Sequence, residues 1–289
     1  MSKISIKDEF GTTDTYKLFR TVYEIIHPTI SKKNISNYKI IVKEDLIPLR
    51  IFYPKKISKI EKIVIYIHGS LEISNNLKNY TEVCQKIVEN TDALLIALDY
   101  ESKEYQELTK SCINTINFLI KELNKINISS NNITVMGDSL GASLLASALS
   151  NAENYIKKQI LLYPALNLTW KNIDKYPSLT QSKEIDIETL KKLDNYQKKY
   201  INEKEYTSPL DIENYDKWPT TLVITGDLDP LRDEGKLLGK KLKNANKKSK
   251  EVNIKFATHG FLNGKDEESI EECMKEINKF ILKDTNRSD

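Results

Sequence analysis

Short apolar runs recur along the chain between longer amphipathic stretches. The runs are rich in Ile, Leu and Val, and each is about the length of one β-strand. The stretches between them repeat apolar residues at helical spacing, so the alternation predicts crossover units around a mostly parallel sheet. Eight strands are expected, at "YKIIV" (38), "LRIFYP" (49), "IVIYI" (63), "ALLIALDY" (93), "ITVMG" (133), "QILLYP" (159), "TLVITG" (221) and "VNIKFAT" (252).

The first two runs predict an antiparallel hairpin. Only "KEDLIP" separates them, a charged, turn-like stretch that is too short for a helix. Because no internal repeat or low-complexity linker divides the chain, we expect residues 1–289 to form a single α/β domain. Helices are expected between the later strands and after the last one, at 77–90, 104–127, 139–151, 233–246 and 266–283.

Two segments do not fit this alternation. The first, residues 1–36, contains an amphipathic stretch from Thr13 to about Ile30 that is expected to be helical. The second, residues 167–209, separates strands six and seven and predicts a helix at 185–201. A connection of that length is usually a lid or a binding element. We therefore expect both segments to form a helical cap.

The composition is that of a soluble globular protein with a sizeable core. Among 289 residues, 39% are hydrophobic and 29% charged, and the net charge of +3 gives no sign of nucleic-acid binding. No apolar run is long enough to span a membrane and the amino terminus lacks the apolar core of a signal peptide, so we expect a cytoplasmic protein. The three cysteines, Cys84, Cys112 and Cys273, are too widely spaced for a metal site and are interpreted as reduced structural thiols.

The stretch "VMGDSLGAS" (135–143) places Ser139 between two of only nine glycines in the chain. It lies where the fifth strand gives way to a helix, the context of a G-x-S-x-G nucleophile elbow. Gly137 and Gly141 would avoid the clashes that a Cβ causes in so tight a turn. The backbone N–H of Leu140, at the start of the helix, would point toward the oxygen of a bound carbonyl. The alternative is a serine that caps an ordinary helix.

A serine nucleophile needs a base within hydrogen-bond reach, and a carboxylate to orient that base. The chain contains three histidines. His27 precedes a proline at the expected end of a helix, where a surface or packing role is favoured, and His68 ends the third strand. His259 follows the last strand, at the carboxyl edge of the sheet where Ser139 is also expected. His259 is therefore predicted to be the base.

The acid is sought in "ITGDLDPLRDEG" (224–235), after strand seven. Asp233 and Glu234 fit the cap and first turn of the next helix. Asp229 precedes a proline, which favours an extended backbone beyond the strand, and its side chain could reach a neighbouring loop. Asp229 is therefore preferred. Asp227 is the second choice and would otherwise accept hydrogen bonds from backbone donors in the turn.

From about Ile40 onward the chain resembles the hormone-sensitive-lipase-like branch of the α/β-hydrolases, which includes bacterial carboxylesterases and plant gibberellin receptors. The resemblance is carried by "LVITGDLDPLRDEG" (222–235), "GDSLGAS", "LLYPALN", "TSPL" (207–210) and "HGF" (259–261). It implies an α/β-hydrolase fold, with an eight-stranded, mostly parallel sheet flanked by helices and a helical cap. It also implies that Ser139 is the nucleophile, Asp229 the acid and His259 the base, in the chain order that this fold imposes.

The chain departs from that family at two loops. Where the family has H-G-G-G after strand three, this sequence has His68, Gly69, Ser70 and Leu71. The N–H groups of Ser70 and Leu71 can still join Leu140 in an oxyanion hole, but Ser and Leu reach glycine-like backbone angles only at a cost of about 1–2 kcal/mol. After strand four, "DYESKEYQEL" lacks the family's proline-containing loop, so one wall of the pocket should be shorter.

These observations predict a serine hydrolase that cleaves carboxylic esters of small to medium acyl chain and needs no metal or cofactor. One alternative is a deacetylase, amidase or peptidase-like hydrolase on the same triad, and another is a non-catalytic ligand-binding module. The expected partner is a small-molecule ester, with a homo-oligomer left open. Three aromatic residues are candidates either to line the pocket or simply to pack the cap: Trp170, Tyr176 and Tyr196.

Overall fold

The computed structural model describes residues 35–42, 45–54, 61–69, 77–101, 103–151, 155–169, 176–181 and 187–283. Within these ranges no helix combines the length and the apolar composition that a bilayer crossing requires.

One eight-stranded sheet organises the described residues, with strand order β1-β2-β4-β3-β5-β6-β7-β8. The first two strands form an antiparallel hairpin, β2 runs antiparallel to β4, and all other pairs are parallel. The expected α/β class and the mostly parallel eight-stranded sheet are therefore confirmed. The strands are β1 (Ile35–Val42), β2 (Asp45–Phe52), β3 (Ile63–Ile67), β4 (Leu94–Leu98), β5 (Ile133–Asp138), β6 (Lys158–Leu162), β7 (Thr220–Gly226) and β8 (Ser249–Ile254).

The largest differences from the predicted strand boundaries lie in the β1–β2 hairpin at one end of the sheet and in β8 at the other. In the hairpin, Val42 pairs with Asp45, so only residues 43–44 connect the strands and most of "KEDLIP" belongs to β2. A two-residue connection is enough for an antiparallel pair. The last strand begins at Ser249, earlier than expected, because its register follows β7 from Thr221 onward. Much of this edge strand is exposed, so its apolar pattern is weak.

Helices cover both faces of the sheet and create two apolar clusters. In β3, Ile63, Ile65 and Ile67 face α2 and α3, whereas Val64 and Tyr66 face α1 and α7. Every residue of β3 is buried, as expected for a strand between two helical layers. The helices are α1 (Thr81–Thr91), α2 (Tyr105–Lys125), α3 (Leu140–Asn151), α4 (Pro177–Thr180), α5 (Ile187–Tyr200), α6 (Arg232–Asn244) and α7 (Glu267–Leu282).

The three cysteines are buried and form no disulfide. Cys84 and Cys273 lie in the cluster beneath α1 and α7, and Cys112 lies in the cluster on the opposite face. Burial raises the pKa of the Cys112 thiol to about 12, so it remains protonated at neutral pH. This agrees with the interpretation of the cysteines as structural thiols.

The two expected cap segments are described only in part. Residues 1–34 lie outside the described residues, and Ile35 and Ser36 open β1, because they pair with Phe52 and Ile51. The first cap element therefore cannot extend to residue 36. In the second segment, α4 and α5 are described, and α5 agrees with the helix expected at 185–201. That these segments cover a binding site stays a prediction.

Candidate active site

Ser139 occupies the turn between β5 and α3 with a left-handed backbone, at φ 48°. A positive φ is unfavourable for a residue with a side chain and persists only where the surroundings enforce it. Here the N–H of Ser139 donates to the carbonyl of Leu162 at 2.9 Å, and its own carbonyl accepts the N–H of Ala165 at 3.2 Å. The end of β6 and the segment that follows therefore hold the strained turn in place.

The glycines of this turn lie where the backbones of β3, β5 and α3 pack closely together. A Cβ on Gly141 would overlap the carbonyl oxygen of Ile67, at the end of β3. A Cβ on Gly137 would lie 2.6 Å from the carbonyl carbon of Gly141, closer than side chains are found. Only glycine lets β3, β5 and α3 meet in this way.

His259 approaches Ser139 from the loop between β8 and α7. Its Nε2 lies 2.9 Å from the Ser139 Oγ, although 120 positions separate the two residues in the chain. The Tyr163 ring packs edge-on against the imidazole, with ring centroids 5.3 Å apart. The hydroxyl and imidazole expected to meet at this edge of the sheet are therefore within hydrogen-bond distance.

Asp229 lies behind the imidazole. Both of its carboxylate oxygens are 3.1 Å from His259 Nδ1, and Oδ1 also accepts the N–H of Leu231 at 2.7 Å. A carboxylate only accepts hydrogen bonds, so Nδ1 must carry the proton and the lone pair of Nε2 faces Ser139. The contacts thus form a continuous relay from carboxylate to imidazole to hydroxyl.

The charge of Asp229 sets the basicity of His259. Desolvation alone would lower the pKa of the imidazole, but the charge and the hydrogen bond of Asp229 are the largest of several contributions that together outweigh it. Asp138 and Glu234 add smaller effects in the same direction, and the net result is a pKa above the usual 6.5. The imidazole is therefore a stronger base than an isolated histidine.

The other carboxylates of "DLDPLRDEG" have different partners. Asp227 accepts from Arg232 at 3.4 Å and from Asn253 at 3.3 Å. Asp233 does not cap α6, since the N-cap position belongs to Leu231; it accepts the N–H of Ser178 from α4 at 2.8 Å. The expectation that Asp233 serves as the cap was therefore wrong, because the helix begins one residue earlier than the sequence pattern suggested.

The expected oxyanion-hole donors are only partly described. Ser70 and Leu71 lie outside the described residues. Leu140 is the first residue of α3, where backbone N–H groups have no acceptor within the helix. The N–H of Gly69, at the base of the expected oxyanion loop, donates to the carboxylate of Asp138 at 2.7 Å.

Asp138 is a buried carboxylate that the sequence analysis did not single out. Besides Gly69 it accepts the hydroxyl of Tyr66 at 2.5 Å. Burial raises the pKa of Asp138 to about 6, although these hydrogen bonds and the charge of His259 lower it in part. The only signal in the sequence was its place in "GDS", directly before Ser139.

His68 directly precedes Gly69, the residue that Asp138 holds, and makes no described contact with Ser139. Its ring stacks on Tyr100 at 4.3 Å, its Nδ1 bonds the carbonyl of Gly69 at 3.0 Å, and Tyr100 donates to the His68 carbonyl at 2.6 Å. Burial lowers its pKa, so the ring stays neutral. These contacts fix the backbone at the start of the expected oxyanion loop.

Of the three aromatic residues proposed to line the pocket or pack the cap, two lie among the described residues. Tyr176 and Tyr196 are buried in the apolar cluster that also contains α2 and α3, whereas Trp170 lies outside the described residues. Their burial fits packing, and a role in lining a pocket stays a prediction. Across the described ranges, no group of three or more His, Cys, Asp or Glu side chains is arranged to hold a metal ion.

Comparisons with known proteins agree with this architecture. A family model described as alpha/beta hydrolase fold matches residues 64–263, a span that contains Ser139, Asp229 and His259. An arylesterase of Saccharolobus solfataricus is 24% identical over 270 residues, which cover 88% of this chain and 86% of that protein.

Two solved structures have the same fold over nearly the whole chain. A hyperthermophilic esterase from Pyrobaculum calidifontis superposes with a TM-score of 0.75 at 23% identity, covering 92% of this chain and 90% of the other. The Francisella virulence factor BioJ superposes with a TM-score of 0.73 at 27% identity, with the same coverage of both chains.

The close approach at the turn predicts that Gly141→Ala is strongly destabilising. The added methyl group would meet the backbone of β3, which cannot rotate away, so we expect the free energy of unfolding to fall by at least about 2 kcal/mol. Denaturant unfolding measures the change.

Gly239→Ala in α6 is the matched control for that substitution. The atoms nearest to its methyl group would belong to the exposed side chain of Glu251, which can move, so stability should change by no more than about 1 kcal/mol. Equal effects of the two substitutions would contradict the role assigned to Gly141.

Proposed function

Because the chain belongs to the alpha/beta hydrolase family, in its hormone-sensitive-lipase-like branch, we propose that it is a carboxylesterase that works through a Ser-His-Asp triad. The observation that carries the proposal is the relay of Asp229, His259 and Ser139, whose contacts span 2.9–3.1 Å. The left-handed turn at Ser139 is further support, since nucleophile elbows hold their serine in this strained conformation.

In the first step, Ser139 attacks the carbonyl carbon of an ester. As the new bond from Oγ to carbon forms, the hydroxyl proton passes to His259 Nε2 and the carbonyl oxygen becomes an oxyanion. We assign the stabilisation of that charge to the N–H of Leu140, together with those of Ser70 and Leu71. The bond to the alcohol then breaks, and His259 returns the proton to the leaving oxygen.

In the second step, water releases the acyl group. His259 takes a proton from the water as its oxygen attacks the acyl-enzyme, and the second oxyanion uses the same N–H donors. Collapse of this intermediate releases the carboxylic acid, and the proton returns to Ser139 Oγ. Asp229 keeps its negative charge throughout and stabilises the imidazolium that forms twice in each cycle.

We assign small to medium acyl esters as substrates. We also assign residues 1–289 to a single domain, with a cap formed by the segment before residue 35 and by residues 167–209. Ester chemistry is supported by the similarity to an arylesterase and to an esterase. Amides react through the same kind of tetrahedral intermediate, so the triad alone does not distinguish amides from esters. A matched amide series would detect deacetylase or amidase activity.

The first test is hydrolysis of p-nitrophenyl esters from acetate to decanoate. We expect turnover to be highest for short and medium chains, and Ser139→Ala to lower it by a factor of about 10⁴ or more, because the nucleophile is lost. Turnover and labelling by a fluorophosphonate probe should disappear together.

Ser147→Ala, in the same helix, is the matched control, because Ser147 bonds the hydroxyl of Tyr105 rather than His259. It should keep its activity. Hydrolysis that survives Ser139→Ala would exclude the assigned nucleophile. Failure of the unmodified protein both to turn over esters and to react with the probe would favour a binding module. Faster cleavage of anilides than of the matched esters would favour an amidase.

The second test is the pH dependence of kcat/KM. The base must be neutral to accept the serine proton, so activity should fall as the pH drops through the raised pKa of His259. Asp229→Asn removes the charge that raises this pKa and leaves the desolvation that lowers it. The acid limb should therefore move to lower pH, while kcat/KM falls by roughly 10³- to 10⁴-fold. An acid limb that stays in place would show that Asp229 does not act on His259.

A further inference from the structure

One short segment supports both members of the Ser139–His259 pair. Residues 163–167 follow β6, and within them the N–H of Ala165 donates to the carbonyl of Ser139 at 3.2 Å. Tyr163 packs its ring against His259 and has a left-handed backbone, with φ 33°. We call residues 163–167 the support segment. A shift of this segment would move the hydroxyl and the imidazole together.

The long connection 167–209 begins in the support segment, and the far end of the connection contacts the same segment. The carbonyl of Leu166 accepts hydrogen bonds from the hydroxyls of Tyr206, at 2.9 Å, and Ser208, at 2.7 Å. The hydroxyl of Tyr206 in turn accepts the N–H of Leu168 at 3.2 Å. Both ends of the connection are thus tied to one peptide group.

Glu234 holds the opposite side of that peptide group. Its Oε2 accepts the N–H of Leu166 at 2.5 Å and the N–H of Asn167 at 2.9 Å, and the side chain is almost completely buried. It lies in the first turn of α6, shortly after Asp229. An apolar side chain here would leave two buried N–H groups without an acceptor, whereas a neutral glutamine could accept the same bonds more weakly.

We propose that Glu234 is a positioning residue for the reaction: its carboxylate clamps the backbone of Leu166 and Asn167, and thereby fixes the support segment against Ser139 and His259. This inference rests on the proposed function. It adds to the triad a group that touches neither the substrate nor the reacting atoms.

The clamp is strongest when Glu234 is ionised, and that ionisation occurs near neutral pH. Burial raises the pKa of Glu234 to about 7, the two backbone hydrogen bonds lower it in part, and the charges of Asp229 and His259 act in opposite directions. The other ionisable groups near the carboxylate are Tyr176 and Tyr206, from the 167–209 connection, and Arg232 and Asp233, from the same helical turn.

The raised pKa also fixes the sign of the effect on stability. The folded protein holds the Glu234 proton more tightly than the unfolded chain, for which the ordinary value is 4.5. The resulting stabilisation is complete below that value and is lost as the pH rises through about 7. Above neutrality the buried charge therefore lowers stability while it strengthens the clamp. Glu234→Gln should be at least as stable as the unmodified protein in that range.

The experiment compares kcat/KM of the unmodified protein and Glu234→Gln across pH. Above pH about 8 the variant should be roughly 10-fold slower, because a neutral amide holds the support segment less firmly. As the pH falls through about 7, Glu234 becomes neutral as well, and the ratio of the two rates should approach one. Glu122→Gln, at a second buried glutamate that pairs with Lys125 in α2, is the matched control and should keep a ratio near one throughout.

Amide hydrogen exchange of Leu166 and Asn167 tests the clamp without relying on activity. Compared at one pH above neutrality, these amides should exchange about 10-fold faster in Glu234→Gln than in the unmodified protein. Unchanged exchange, or a rate ratio that does not vary with pH, would overturn the clamp. Failure of the unmodified protein to cleave esters or bind the fluorophosphonate would count against the proposed function instead, and the exchange rates would still decide the role of Glu234.

Discussion

The structure depends on the close backbone contact between β3, β5 and α3 around Ser139. A parallel sheet brings these elements to the same edge, but a side chain at residue 137 or 141 would push them apart. Their approach forces Ser139 into a left-handed conformation, which hydrogen bonds with Leu162 and Ala165 maintain. The position of the hydroxyl is therefore a consequence of backbone packing, and it is fixed before any substrate arrives.

Three buried carboxylates surround this turn, and each holds backbone N–H groups of a different loop. Asp138 binds Gly69, Asp229 binds Leu231, and Glu234 binds Leu166 and Asn167. All three favour the protonated form of His259, Asp229 most strongly. The same charges thus order the loops around the site and raise the basicity of the imidazole. Burial raises the pKa of Asp138 to about 6 and that of Glu234 to about 7, and the charge of Asp229 adds to the rise at Glu234.

The sequence predicted the elements whose signals are local. Buried parallel strands read as continuous apolar runs, and a serine between glycines at a strand-to-helix junction marks a turn. Strands β2 and β8 begin earlier than predicted; β8 lies at an edge of the sheet, where exposure weakens the apolar pattern. Asp138 and Glu234 were missed as anchors because a carboxylate looks the same in sequence whether it is solvated or buried. The partners that distinguish the two cases, such as Leu166 for Glu234, lie far away in the chain.

The family resemblance implies glycines where this chain has Ser70 and Leu71, and the residues before these two positions are firmly anchored. The expected oxyanion loop starts from a backbone held by Asp138 at the N–H of Gly69, by His68 at the Gly69 carbonyl, and by Tyr100 at the His68 carbonyl. None of these contacts uses the side chain of residue 70 or 71, so substitution there leaves the base of the loop fixed. A binding module has no need of an imidazole that is both basic and aligned with a strained serine. The combination of an anchored loop base with the Asp229–His259–Ser139 relay therefore favours catalysis over binding alone.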